Sequence, residues 1–281
     1  MFPRSLSRLL TRWFLALPAG TGLATARACL RLLLGRKPER SGVWSAGNGP
    51  AMRAPIIGVC FADKPAQMLE LVRVSTRITH TDPKAEYGAA AAAIAAGLAA
   101  QADAVPDPAR ALLESLKDAY GHNARELLDL LECAAASAAS GQTTEDFATR
   151  IGCADGVSGY VYHTVPAAIH AWLAHRDSYR SAVTSVIRCG GDTDTTGAIT
   201  GAIIGASVGK RGIPQEWLSD LRDWPRTLGW IERLGCRLSA TIDEGEPFRA
   251  PDVPFGLAFI RNLMFLCVVL AHGFRRLLPP Y

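Results

Sequence analysis

The sequence is 281 residues long, 49% hydrophobic and 20% charged, enough for one globular domain with a full core, and this excludes a disordered or low-complexity chain. The net charge of +4 is concentrated at the start, where eight arginines and lysines in the first 40 residues face Glu39 alone. No basic face with aromatic support continues beyond them, so nucleic acid is not an expected partner.

Alanine is abundant and β-branched alternation is scarce, which predicts an all-α fold with a single domain over residues 1–281. Residues 4–17 and 21–34 are predicted as two amphipathic helices lying on the body, broken at Pro18-Ala19-Gly20. The apolar run at 13–17 is too short for a signal peptide. Residues 255–271 are the most apolar stretch, but they carry Arg261 and Asn262 and are expected to pack as a core helix, so no membrane partner is expected. The seven cysteines show no C-x-x-C spacing and read as reduced, mostly buried small hydrophobes, which implies a cytoplasmic location.

Residues 45–53, Ser-Ala-Gly-Asn-Gly-Pro-Ala-Met-Arg, are too glycine-rich for an element interior; their backbone amides can crowd a ligand, and a plain turn explains them as well. A helix over 66–79 leads to Thr79-His80-Thr81-Asp82-Pro83, where Thr81 or Asp82 caps an alanine-rich helix running to Ala100. Helices follow at about 108–120, 124–140 and 144–150, the last capped by Thr143 or Thr144; this middle third reads as scaffold. Residues 156–166 hold Ser158, Tyr160, Tyr162 and His163 among small residues. Stacking on an adenine or bonding a ribose fits them, and so does a packed, strand-like entry to a helix at 166–175. A helix over 178–188 then delivers Gly190-Gly191-Asp192-Thr193-Asp194-Thr195-Thr196-Gly197.

This last stretch is the chemical centre of the sequence. Two carboxylates two residues apart, with threonine hydroxyls beside them, are hard oxygen donors that suit Mg²⁺, Ca²⁺ or Mn²⁺. Gly197, Gly201 and Gly205 then recur every four residues, predicting a helix with a bare face that another backbone can approach. The carboxylates are expected in a loop at that helix's N-terminus, although an Asp/Thr helix cap would use the same residues. Helices from Pro214 and Trp224, a loop over 240–254 and an apolar helix over 255–278 close the chain.

The octapeptide resembles the G-G-D-T-D-T signature of the ADP-ribosylglycohydrolase family, which includes the enzyme that removes ADP-ribose from dinitrogenase reductase. Residues 47–53 look like the family's G-N-G-x-x-M-R loop; residues 79–82 and 156–166 match in the same order. The resemblance implies a compact orthogonal bundle of helices. It implies a hydrolase that cleaves a glycosidic bond of ADP-ribose, with ADP-ribose or an ADP-ribosylated protein as partner. It assigns Asp192 and Asp194 to catalysis, and Asp192, Asp194 and Thr195 to Mg²⁺ or Mn²⁺. Gly47, Asn48, Gly49, Met52, Arg53, His80, Ser158, Tyr160 and Tyr162 are assigned to substrate; for Arg53 a buried ion pair fits equally, and His80 is assigned hydrogen bonding rather than acid–base work.

The sequence departs from the family pattern in one respect. Relatives bind a second ion through a T-D-D-T-like motif near the N-terminus, whereas the first aspartate here is Asp63. An N-terminally truncated family domain with at most a partial metal centre is therefore expected. The rival reading is an ADP-ribose-binding or structural pseudoenzyme on the same fold.

Overall fold

The computed structural model describes residues 1–277. Its elements are α1 Phe2–Leu15, α2 Leu23–Leu33, α3 Gly49–Arg53, α4 Pro55–Cys60, α5 Pro65–Arg77, α6 Pro83–Ala100, α7 Pro108–Tyr120, α8 Arg125–Ala139, α9 Thr144–Arg150, α10 Val161–Ala174, α11 Tyr179–Arg188, α12 Thr193–Gly212, α13 Gln215–Ser219, α14 Leu228–Glu244 and α15 Phe255–Leu277. Among the described residues there is no strand, only three isolated β-bridges, so the fold is all-α.

The architecture is built around α6. Asp82 caps it by accepting from the Lys84 amide at 2.9 Å, and Pro83 occupies the first turn, where its missing N–H costs nothing. From Ala85 to Ala99 nearly every residue is buried, whichever way it points, so this helix has no solvent face. Alanine lets neighbours approach on all sides, and α3, α4, α5, α7, α10 and α12 all pack on it. The closest approach is at α4, where a Cβ on Gly58 would lie 1.9 Å from the Ala93 carbonyl oxygen.

Local signals place the surrounding helices where the sequence puts them. Thr143 and Asp146 form a reciprocal capping box on α9, and Ser178 caps α11. Four expectations about the body are corrected. Of the two carboxylates only Asp192 precedes α12 as expected: the helix begins at Thr193, with Asp192 at the N-cap position and Asp194 already in the first turn. The glycine row of α12 does not admit a second backbone; it seats the Tyr179 ring, whose hydroxyl lies 2.8 Å from where a Gly201 Cβ would stand. The segment before Pro166 is helical from Val161, because the Val161 amide is satisfied by the Ala46 carbonyl at 2.9 Å and the helix starts there. Only Cys29 and Cys153 of the seven cysteines are buried, and all seven are free.

A fifth correction concerns α15, which is not a core helix. Two polar contacts hold its root: the Asn262 amide donates to the Ala16 carbonyl at 2.8 Å, and Arg261 pairs with Asp223 at 3.1 Å. Beyond Asn262, Met264, Phe265, Val268, Val269, Leu270 and Phe274 are all exposed, because no described element packs along them. The expected ending at residues 278–281 lies outside the described residues.

Gly58→Ala is expected to lower stability by about 1–3 kcal/mol, because its methyl group must push α4 off a backbone carbonyl of α6. Urea denaturation measures this as a lower midpoint at unchanged slope.

Candidate functional site

The three bridges bring together four segments that are distant in sequence. Val157 pairs with Gly191, Gly47 with Tyr160, and Val43 with His80. The first is very tight: Val157 donates to the Gly190 carbonyl at 3.1 Å, and the Asp192 amide returns a bond to the Val157 carbonyl at 2.7 Å. Gly191 has φ +77°, and a Cβ there would stand 2.2 Å from the Val157 oxygen, so only glycine lets the turn close. Asn48 is fixed by its own amide, which donates to the Gly159 carbonyl at 3.0 Å.

These backbone pairings converge on one side chain. The Asn48 amide nitrogen donates to Asp192 Oδ2 at 2.7 Å and to Thr164 Oγ1 at 3.0 Å. Thr164 is fully buried and passes its own proton to the Ser158 carbonyl at 2.9 Å. Gly159 lies beside the carboxylate, and a Cβ there would come within 3.3 Å of Asp192 Oδ2. The Asp192 side chain makes no capping bond to α12. Asn48 holds it from another part of the protein, while Thr195 in the first turn of α12 lies near it as well.

The two carboxyls are unlike. Burial pushes Asp192 up, but hydrogen bonding from Asn48, Asp194 and Thr195, with the Thr195 amide close by, holds it below the usual range. Asp194 is raised, first because its carboxyl shares a hydrogen bond with that of Asp192 and then by burial. Two carboxyls that approach this closely call for a proton or a cation between them. Asp192, Asp194 and Thr195 supply oxygen donors that fit one hard divalent ion. Among the described residues no cluster of three or more His, Cys, Asp or Glu completes a metal site.

The residues assigned to substrate divide into two groups. Gly47 and Gly49 lie over the His80 ring, where added Cβ atoms would come to 3.1 and 3.3 Å from it. Met52 is exposed beside them, and Ser158 Oγ bonds His163 Nδ1 at 2.9 Å with the Tyr160 ring edge-on to the same histidine. These residues and Asn48 line one region. Arg53 and Tyr162 belong to the scaffold. The Arg53 guanidinium is spent on Ser75 Oγ, the Ser75 and Gly49 carbonyls and Thr79 Oγ1 at 2.7–3.1 Å, with no carboxylate partner among the described residues. Its burial lowers its pKa to about 10, and it remains charged. Tyr162 is buried in the main core with the Lys84 ammonium 5.0 Å from its ring.

His80 is almost wholly buried and bonds Thr79 Oγ1 through Nδ1 at 2.8 Å. Burial and then the Arg53 charge push its pKa down to about 4, so it is neutral at pH 7. Cys189 is no nucleophile, since burial raises its thiol to about 11. Two contributors have no role in the sequence reading. Thr164 stands inside a quoted motif, so its position is legible. Lys84, which reaches Tyr160 Oη at 2.9 Å and Glu126, depends on α8 lying alongside and has no local signal.

A helical bundle with a paired-aspartate turn tied to a glycine loop defines the class, and comparison with known proteins agrees. The ADP-ribosylglycohydrolase family model matches residues 2–247, and the chain belongs to that family. It is 28% identical to an uncharacterised Archaeoglobus fulgidus protein over 84% of this chain and 72% of that one. It is 27% identical to human ADP-ribosylhydrolase ARH3 over 68% of this chain, spanning 58% of that protein's length. A 64-residue stretch is 38% identical to the ADP-ribosyl-[dinitrogen reductase] glycohydrolase of Rhodospirillum rubrum, covering 23% and 21% of the two chains. A solved ADP-ribosylglycohydrolase-related protein complex has the same fold, with TM-score 0.59 and 24% identity over 94% of this chain and 74% of that one.

A buried histidine with a depressed pKa takes up its proton on unfolding, so stability falls as pH drops from about 6.5, the unfolded value, towards 4. His170, also buried and lowered to about 4 by burial and then by His175 and Arg150, acts in the same direction. Each is expected to cost about 2 kcal/mol between pH 7 and pH 5. Urea unfolding at the two pH values should show that share missing in His80→Gln and in His170→Gln.

Proposed function

We propose that this protein hydrolyses a glycosidic bond of ADP-ribose, releasing it from a modified protein or a related small molecule. Family membership supports the reaction class. The observation that carries the reading is the 2.7 Å bond from Asn48 to Asp192, which joins the loop matched to ADP-ribose with the turn matched to metal. A polar amide that is 9% exposed and donates to this carboxylate and to Thr164 fixes the position of the carboxylate.

Breaking the bond at the ribose anomeric carbon builds positive charge on the sugar ring. Asp192 is kept ionised by Asn48 and faces that charge with its position fixed in advance, so little reorganisation is needed. The Gly47–Gly49 loop packs over neutral His80, and of its backbone amides those of Gly47 and Asn48 are satisfied by Ser45 Oγ and the Gly159 carbonyl, which leaves that of Gly49 for an anionic group. Tyr160 and Ser158 flank the opening opposite. One Mg²⁺ or Mn²⁺ held by Asp192, Asp194 and Thr195 would supply Lewis-acid polarisation of a ribose hydroxyl or water.

A second reading rests on the lack of a third acidic ligand among the described residues: the chain binds ADP-ribose without turning it over. Asp192→Asn and Asp194→Asn are each expected to cut release of ADP-ribose from a modified peptide by about 100-fold or more. Wild-type rates in both variants would overturn the hydrolase. Calorimetric titration with ADP-ribose, with and without Mg²⁺, distinguishes the readings, since tight binding with no release by the unaltered protein selects the second.

A further inference from the structure

Helix α15 poses a problem of solvation. Residues 263–271, Leu-Met-Phe-Leu-Cys-Val-Val-Leu-Ala, are apolar on every face. A helix of that kind belongs in a protein core or in a bilayer. It is not in the core: over its most apolar 18-residue window the mean hydropathy is 1.8, and only 11% of that window is buried. It lacks the polar stripe of a helix that lies flat in the headgroup region. Because Arg261 and Asn262 tie the root to the body, the part free to leave it runs from Leu263 to Arg276 and reaches about 21 Å at about 1.5 Å per residue, enough to enter a hydrocarbon layer about 30 Å thick. Arg275 and Arg276 fall at its far end, and Arg261 at its root is already neutralised by Asp223.

An independent feature lies at the root of this helix. A cavity of about 680 Å³ lies away from the candidate active site, between α1, α2 and Phe255. Arg4, Arg8, Arg12 and Arg36 line it together with Leu15 and Phe255. Arg4, Arg8 and Arg12 recur every four residues, stacking like charges on one face of α1, and none of the four pairs with a carboxylate among the described residues. Four guanidinium groups without a counter-charge, set beside an apolar wall, match the phosphate and upper acyl chain of an anionic phospholipid. A second copy of the chain fits less well, since a two-fold contact would set these arginines against their own counterparts.

We propose that the α1/α2/α15 face attaches the protein to a lipid bilayer, with α15 inserted in the hydrocarbon and the Arg4–Arg8–Arg12–Arg36 cluster seated on anionic phospholipid headgroups. The proposal is independent of the catalytic reading. Its test uses the full chain mixed in mild detergent with vesicles of phosphatidylcholine, alone or with phosphatidylglycerol, followed by detergent removal and flotation. The protein is expected to float with the vesicles and to resist alkaline carbonate. Arg4→Ala and Arg8→Ala are expected to lower partitioning to the anionic vesicles by about fivefold each. The double variant Val268→Lys/Val269→Lys is expected to become carbonate-soluble with its thermal melt unchanged, because both side chains are exposed and outside the body. Wild-type protein that stays soluble at both lipid compositions overturns the proposal, as does a lysine variant held as firmly as wild type. A soluble dimer in sedimentation velocity that does not float assigns the helix to a second copy instead.

Discussion

Everything in this fold depends on how closely other helices can approach α6. A helix whose side chains are almost all methyl groups loses no side-chain entropy on burial and leaves its backbone within reach of six neighbours. The contact between Gly58 and Ala93 is its limiting case, since not even one methyl group fits between the two backbones. Three of those neighbours carry the site: α3 follows Asn48, α10 holds Thr164 and α12 follows Asp192. A larger residue in the middle of α6 would therefore change the distance between the segments that carry Asn48, Thr164 and Asp192 as well as the packing.

The site itself is a closure problem. Asn48 and Asp192 are 144 residues apart, so their bond is made only after most of the chain has been ordered. The backbone bridges do most of the positioning, and the side-chain bond completes it. This explains the density of glycine in the loops: Gly191 provides the positive φ and the clearance that let the Val157 carbonyl reach the Asp192 amide.

The parts of this structure legible in the sequence are those decided locally. The caps at Asp82 and Thr143 each involve an oxygen and an amide within three residues, and the sequence places each to within one residue. The Gly190–Gly197 turn and the Gly47–Arg53 loop are legible as chemistry because their residue types are unusual together. The role of Arg53 is not, since its hydrogen bonds to Ser75 and Thr79 depend on α5 lying across it. The glycine row of α12 reads as a backbone contact, but whether a bare face meets a backbone or a tyrosine ring depends on the partner. The same holds for α15, because an apolar stretch is identical in composition whether a core surrounds it or not.

Arg53 has one further consequence. Its guanidinium lies beneath the Gly47–Gly49 loop, bonded to neutral oxygens alone and too basic to lose its proton. The loop thus rests on a fixed positive charge that is only partly open to solvent. An anion arriving at the loop would meet an attraction that exists before any contact forms, and added salt would weaken it less than the pull of a fully exposed arginine.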